Sequence, residues 1–193
     1  MIKIKYGNTN TFFVYGNSCG LLIDTDYAGT LPSFYKVLKQ NNIKVKDIGY
    51  LLASHYHPDH MGLIGELINQ GVTLLLIDVQ KDFIHLSDNI FTKDNLIYTP
   101  IDEAKSTVIS CKESRDFLLN IGIYGEIIHT PSHSEDSISL ILDNGYCFVG
   151  DIDPLEYIEA YEENSALKSD WELISSFNPK TIFYAHRPEK IIF

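Results

Sequence analysis

The chain is poor in cysteine, in tryptophan and in positive charge. Only three cysteines stand among 193 residues, at Cys19, Cys111 and Cys147. Their odd number and wide spacing exclude a disulfide framework. Cys19 and Cys147 fall in apolar strand-like runs, so both are expected as buried free thiols, as in a reducing cytoplasm. Lys and Arg number 15 against 26 Asp and Glu, a net charge of -11. That balance speaks against sequence-independent binding to nucleic acid, which rests on clustered cations. No apolar run approaches the ~20 residues that a membrane helix requires. The opening Met1-Ile2-Lys3-Ile4-Lys5-Tyr6 alternates like a strand and lacks the apolar core of a signal peptide. Repeats, low-complexity tracts and Gly/Ser linkers are missing too. Hydrophobic residues make up 45% and charged residues 21%, as expected of one globular domain over 1–193.

What the chain does have is a cluster: Ser54-His55-Tyr56-His57-Pro58-Asp59-His60-Met61-Gly62. It follows an apolar run, 48–53, that reads as a buried strand. It precedes Met61, Leu63, Ile64, Leu67 and Ile68 at helical spacing, which predicts a helix over about 59–70 capped by Gly71. The cluster thus occupies a strand-to-helix loop, where open α/β sheets build their sites. In extended backbone, residues two apart point the same way, so His55 and His57 can reach one metal ion. Pro58 keeps His57 out of the helical region and suits the first turn of the following helix. Asp59 and His60 then leave in another direction and can reach a second ion. Imidazole and carboxylate suit zinc, iron or manganese without a thiolate.

Around this loop the pattern predicts a meander of strands at 2–6, 11–15 and 20–25, and an amphipathic helix from Leu31 to Asn41. A strand at 72–77 completes a βαβ unit. The stretch 78–112 is less legible: a short helix over 78–86, then a loop with a short strand within 90–99. A helix at 113–121 ends at Gly122. A strand at 123–130 leads into Thr130-Pro131-Ser132-His133-Ser134, and Asp143-Asn144-Gly145 marks a hairpin whose second strand runs into Gly150-Asp151. The acidic, tyrosine-bearing 153–164 reads as a solvated stretch, with Tyr157 and Tyr161 as candidate substrate-facing residues. A helix over 166–177 and a strand at 181–184 precede Ala185-His186-Arg187. His85 reads as a surface or packing histidine and His129 as structural.

The motif His55-x-His57-x-Asp59-His60 resembles the signature of the metallo-β-lactamase fold superfamily. The similarity extends to His133, Asp151 and His186. It implies a four-layer αββα sandwich of two mixed β-sheets. It also implies two divalent metal ions, zinc with iron or manganese as alternatives. His55, His57 and His133 would hold the first. Asp59, His60 and His186 would hold the second, and Asp151 would bridge them around a water or hydroxide. Asp24, at the end of the third strand, would support the metal loop without being a ligand. Asp59 is the implied proton-transfer residue, and Arg187 a candidate anchor for a substrate carboxylate or phosphate. Ser132 and Ala185 stand where the family usually has glycine, so Ser132 is expected to carry mild strain or a different turn.

Asp151 in place of cysteine speaks against many antibiotic-cleaving members. His57 in place of glutamate speaks against the flavodiiron pattern. The C-terminal glutathione module of the glyoxalase II type and the arm of the transfer-RNA processing branch are not expected. No Gly-x-Ser-x-Gly nucleophile motif is present. The resemblance thus implies a hydrolase of a small ester, thioester, lactone or phosphodiester, while the free thiols and the strand-like start point to the cytoplasm; the oligomeric state stays open, a homodimer included. The alternatives are a mononuclear iron dioxygenase of the persulfide dioxygenase type and a non-catalytic metal-binding or sensing domain.

Overall fold

The protein is described by a computed structural model covering residues 1–158 and 164–192. Among the described residues, strands β1 (Ile2–Lys5), β2 (Asn10–Tyr15), β3 (Gly20–Ile23), β4 (Ile48–Leu52), β5 (Thr73–Ile77) and β6 (Ser106–Ile109) form one sheet in sequence order. The pairs β1–β2 and β2–β3 are antiparallel, and those from β3 to β6 are parallel. The second sheet runs β11 (Lys190–Ile191), β10 (Thr181–Phe183), β9 (Tyr146–Phe148), β8 (Ile138–Leu142), β7 (Gly125–His129), with only β9–β10 parallel.

Alternation along the strands builds three apolar layers. Ile4, Phe13, Leu22, Leu51 and Leu74 face outward from the first sheet, against Phe34 and Leu38 of α1 (Leu31–Gln40) and Ile64 and Leu67 of α3 (Ile64–Ile68). Their neighbours Phe12, Leu21, Ile23, Leu52 and Leu75 point inward, against Ile127, Leu140 and Phe148 of the second sheet. Phe12 is central there, with ring centroids 5.0 Å from Phe148 and 5.5 Å from Phe183. The outer face of the second sheet packs Ile141, Cys147 and Ile182 on Leu167, Trp171 and Ile174 of α6 (Ser165–Ser176). The result is the αββα sandwich. No helix among the described residues is long and apolar enough to cross a membrane.

Several local expectations change. The helix foreseen over 59–70 is two pieces, α2 (Pro58–Met61) and α3, separated at Gly62. A Cβ at Gly62 would lie 2.2 Å from the Ala28 nitrogen, so the 26–28 backbone packs directly against the break. Gly71 and Gly122 do end their helices, with φ of +92° and +82°. Within 78–112 a 3₁₀ helix covers Asp78–Phe83, and α4 (Asp88–Lys93) stands where a loop and strand were expected. The strand of that region is β6, further on, at the sheet edge. The helix foreseen at 113–121 is α5 (Ser114–Asn120). Strand β11 was not foreseen. Cys147 is buried as expected, but Cys19 is only half-buried.

At one end of the sandwich the sheets are tied together. The Asn10 backbone N–H donates to Ala185 O at 2.7 Å, and its side-chain amide donates to the carbonyls of Tyr184 and Arg187 at 2.9 and 3.0 Å. On the other side the Ile138 N–H donates to Ser54 O at 2.9 Å. The histidine loop lies between these ties.

Candidate metal centre

Four chain segments deliver the donors. The loop after β4 and the start of α2 carry His55, His57, Asp59 and His60. The β7–β8 loop carries His133. The turn after β9 carries Asp151, and the segment after β10 carries His186. The structure brings all seven together. His57 Nδ1 lies 2.9 Å from His55 Nε2 and 3.2 Å from His133 Nε2. Four ligands around a zinc ion at its usual nitrogen distance stand ~3.3 Å apart, so this spacing fits a shared ion. His186 Nε2 lies 3.0 Å from Asp59 Oδ2, and His60 Nε2 lies 3.8 Å from the same oxygen. Asp151 faces both groups, with Oδ2 3.4 Å from His60 Nε2 and 4.0 Å from His133 Nε2, and Oδ1 3.4 Å from His186 Nε2. Among the described residues, three donor sets could hold a metal ion: His55–His57–His133, Asp59–His60–His186, and His55–His60–Asp151 between them.

Two buried polar atoms aim into this space without a hydrogen-bond partner: His60 Nε2 and Asp151 Oδ1. Buried polar atoms are rarely left so. Here both face other donors, and a cation between them would satisfy both. The residues present therefore fit a metal pair.

The two groups differ in charge. Burial, and then the neighbouring His60, His57 and His133, hold His55 well below the usual imidazole range. Burial likewise lowers His133. Both thus present neutral lone pairs, the form a metal takes. At His60 burial also opposes the charge, but Asp24 and Asp151 outweigh it and push the ring up to about 10. The carboxylates of Asp151 and Asp59 beside the ring raise His186 to about 10 as well. Burial would raise the carboxyls of Asp59 and Asp151, yet His186 and His60 hold both below their ordinary range. The carboxylate-rich half thus demands positive charge, which a proton or a cation can supply.

Asp24 supports the loop without facing the other donors. It accepts from the Ser54 N–H at 2.6 Å and the Ser54 hydroxyl at 2.9 Å, and its Oδ2 stands 3.2 Å from His60 Nδ1. Its φ of +58° is the left-handed region, sparsely used by non-glycine residues. Gly150 (φ +59°) allows the Asp151 turn to approach: a Cβ there would lie 2.5 Å from Ser54 Oγ. Ser132 lies outside the left-handed region, so the expected strain is not found; its N–H donates to Asp170 at 2.7 Å. His129 donates to Glu135 O, and His85 pairs with Asp88 and Glu103 at the surface, both away from the centre. Tyr161 lies outside the described residues. Arg187 lines a cleft of about 310 Å³ together with His133, Asp151, Ile152, Tyr184 and His186. Its guanidinium sits 5.1 Å over the Tyr157 ring and 3.7 Å from Asp153.

A sequence model of the metallo-beta-lactamase superfamily matches residues 4–186. The chain belongs to this superfamily. Among curated proteins it is 30% identical over 141 residues to "Probable metallo-hydrolase MJ0888" of Methanocaldococcus jannaschii, covering 72% of this chain and 65% of that one. It is 25% identical over 181 residues to the beta-lactamase-like protein 2 homolog of Drosophila melanogaster, covering 92% of this chain and 58% of that one. The chain thus spans less than two thirds of either relative. Among solved structures, a metallo-beta-lactamase family protein of Thermus thermophilus superposes with a TM-score of 0.72 at 16% identity, covering 95% of this chain and 70% of that one. The di-iron-bound form of TTHA1623 superposes with a TM-score of 0.73 at 16% identity, over 99% and 94% of the two chains. These likenesses show the superfamily fold.

Sequence reasoning missed part of the support. Gln80 and Asp136 are buried and polar beside the loop, as are Thr9 and Thr25. Thr9 donates its hydroxyl to Asp59 O at 2.7 Å, and Thr25 donates to His60 O at 3.1 Å. Nothing in their local sequence distinguishes them from ordinary polar residues of a turn, a strand end or a helix surface.

Proposed function

We propose that the protein is a hydrolase that holds two divalent metal ions, zinc with iron or manganese as alternatives, and cleaves a small ester, thioester, lactone or phosphodiester. The observation that carries this reading is Asp151, placed within 4 Å of imidazoles from both donor groups. His55, His57 and His133 would hold one ion, and Asp59, His60 and His186 the other. When bound, paired cations lower the pKa of water toward neutrality and polarise the carbonyl or phosphoryl group under attack. The chain's own residues do the rest. Asp59, its Oδ2 held by His186, takes the proton of the attacking water and returns it to the leaving group. Asp24 fixes the His60 ring through Nδ1, which leaves Nε2 directed inward. Arg187, braced by the Tyr157 ring and hydroxyl, presents a cation for an anionic group on the substrate.

The His55–His60–Asp151 set favours a second reading, because two imidazoles and one carboxylate also suit a single non-haem iron. Metal quantification on protein as purified, run with an ester, lactone and phosphodiester panel and an oxygen-uptake assay, separates the two. Two ions per chain with hydrolytic turnover support the proposal. One iron per chain with oxygen consumption replaces it, and retained metal without any turnover leaves a binding or sensing role.

A further inference from the structure

The first donor group has a support of its own, distinct from Asp24. Asp136 is only 3% exposed, yet both carboxylate oxygens are used. Oδ2 accepts the Tyr56 backbone N–H at 2.7 Å, and Oδ1 accepts the Ser134 hydroxyl at 2.7 Å. Tyr56 is the residue between His55 and His57, and Ser134 follows His133. One carboxylate therefore grips the chain beside all three imidazoles of that group. Hydrogen bonds to a charged acceptor are the stronger kind.

Gln80 lies behind it, with no exposure at all. Its amide nitrogen donates to Ala53 O at 3.0 Å and to Asp136 O at 3.1 Å, so it joins the end of β4 to the β7–β8 loop. The other side of the Tyr56 peptide is held as well, because the Ser87 hydroxyl donates to Tyr56 O at 2.8 Å. The Tyr56 ring itself is 2% exposed in the apolar core. The second donor group is held mainly by other atoms: Asp24 on His60, Thr25 on the His60 carbonyl and Thr9 on the Asp59 carbonyl. A link between the two is Ser54 Oγ, which donates to Asp24 and stands 3.1 Å from His55 Nδ1; among the described residues, Asp136 itself touches only the first group.

We propose that Asp136, backed by Gln80, is the positioning residue for the His55–His57–His133 group, setting that ion's site independently of the Asp59–His60–His186 site. This rests on the two-metal reading above. A residue that only stabilised the fold would affect both sites alike. A positioning residue confined to one loop pair affects one of them.

The test titrates metal-free wild type, Asp136→Ala and Asp136→Asn with Zn²⁺ alone in a calorimeter. A His133→Ala reference assigns which binding step belongs to the first group. The expected result for Asp136→Ala is a loss of about 10- to 100-fold in the first-group step, the range for outer partners of metal ligands. The other step stays unchanged, and Asp136→Asn, whose carbonyl oxygen still accepts the Tyr56 N–H, recovers most of the loss. Equal weakening of both steps, or of neither, overturns the proposal. Amide exchange at Tyr56 in the metal-free proteins provides a readout without metal. Asp136→Ala should lose protection there, and Asp136→Asn should keep most of it. If wild type binds fewer than two ions, the two-metal reading fails, and unchanged Tyr56 protection in both variants overturns the positioning claim separately.

Discussion

Asp24 Oδ2 stands 3.2 Å from His60 Nδ1, in a spot where both side chains are almost wholly buried. The pair orients an imidazole whose opposite nitrogen faces Asp151. Asn tolerates the left-handed backbone found at Asp24, so Asp24→Asn tests the charge without adding strain. We expect it to weaken metal binding at the Asp59–His60–His186 site by about 10- to 100-fold, read as a lost or weakened second step in a zinc titration.

Asp59 combines a contact to His186 at 3.0 Å with a second approach to His60 at 3.8 Å. Asp59→Asn keeps an oxygen donor but removes the basic carboxylate. The expected outcome is retention of much of the metal with turnover reduced by about 100-fold or more, the usual range for a lost general base. Metal content and kcat, measured on one preparation, check it. Near-normal kcat would remove the proton-transfer role.

Phe12 anchors the layer between the sheets by its contacts with Phe148 and Phe183. Phe12→Ala should cost about 3–5 kcal/mol. For a chain of this size that corresponds to a drop of roughly 6–20 °C in Tm. Differential scanning calorimetry decides it, and a drop under a few degrees would mean that the sheets close over the gap.

His85 lies on the surface between Asp88 at 2.8 Å and Glu103 at 3.0 Å. Burial opposes its charge, but the hydrogen bonds and charges of the two carboxylates together outweigh it and raise its pKa above the ordinary 6.5. A raised folded-state pKa contributes stability that is fully present below 6.5 while the carboxylates remain ionised. It is lost as pH rises through the raised value. His85→Gln should therefore lower Tm near pH 5.5, by no more than about 3 °C for so exposed a cluster. By pH 9 the difference should be gone. A difference that grows with pH would reverse the assignment.

The convergence of these side chains was legible because histidines follow one strand-like run after another, and because His55, His57, Asp59 and His60 crowd into six positions. The sandwich was legible where alternation is strong, as in β2 and β3. Legibility failed where the cause lies elsewhere in the chain. Gly62 continues a helical pattern, and only the 26–28 backbone pressing on it explains the break. Strand β6 sits at a sheet edge with no fully buried residue, so its alternation is weak. Helix α4 buries only Phe91, too little to show a period. Asp136 lies in Ser134-Glu135-Asp136-Ser137, which reads as a solvated turn. Its partner Tyr56 is 80 positions away.

Four of the seven donors hang from the first sheet and three from the second, next to the Asn10 and Ser54 ties between them. Any ion held there is also a rivet through both halves of the sandwich. Sliding one half past the other would pull the donor sets apart. Loading with zinc should therefore slow the parting of the two halves in pulsed proteolysis, while stripping with a chelator should hasten it.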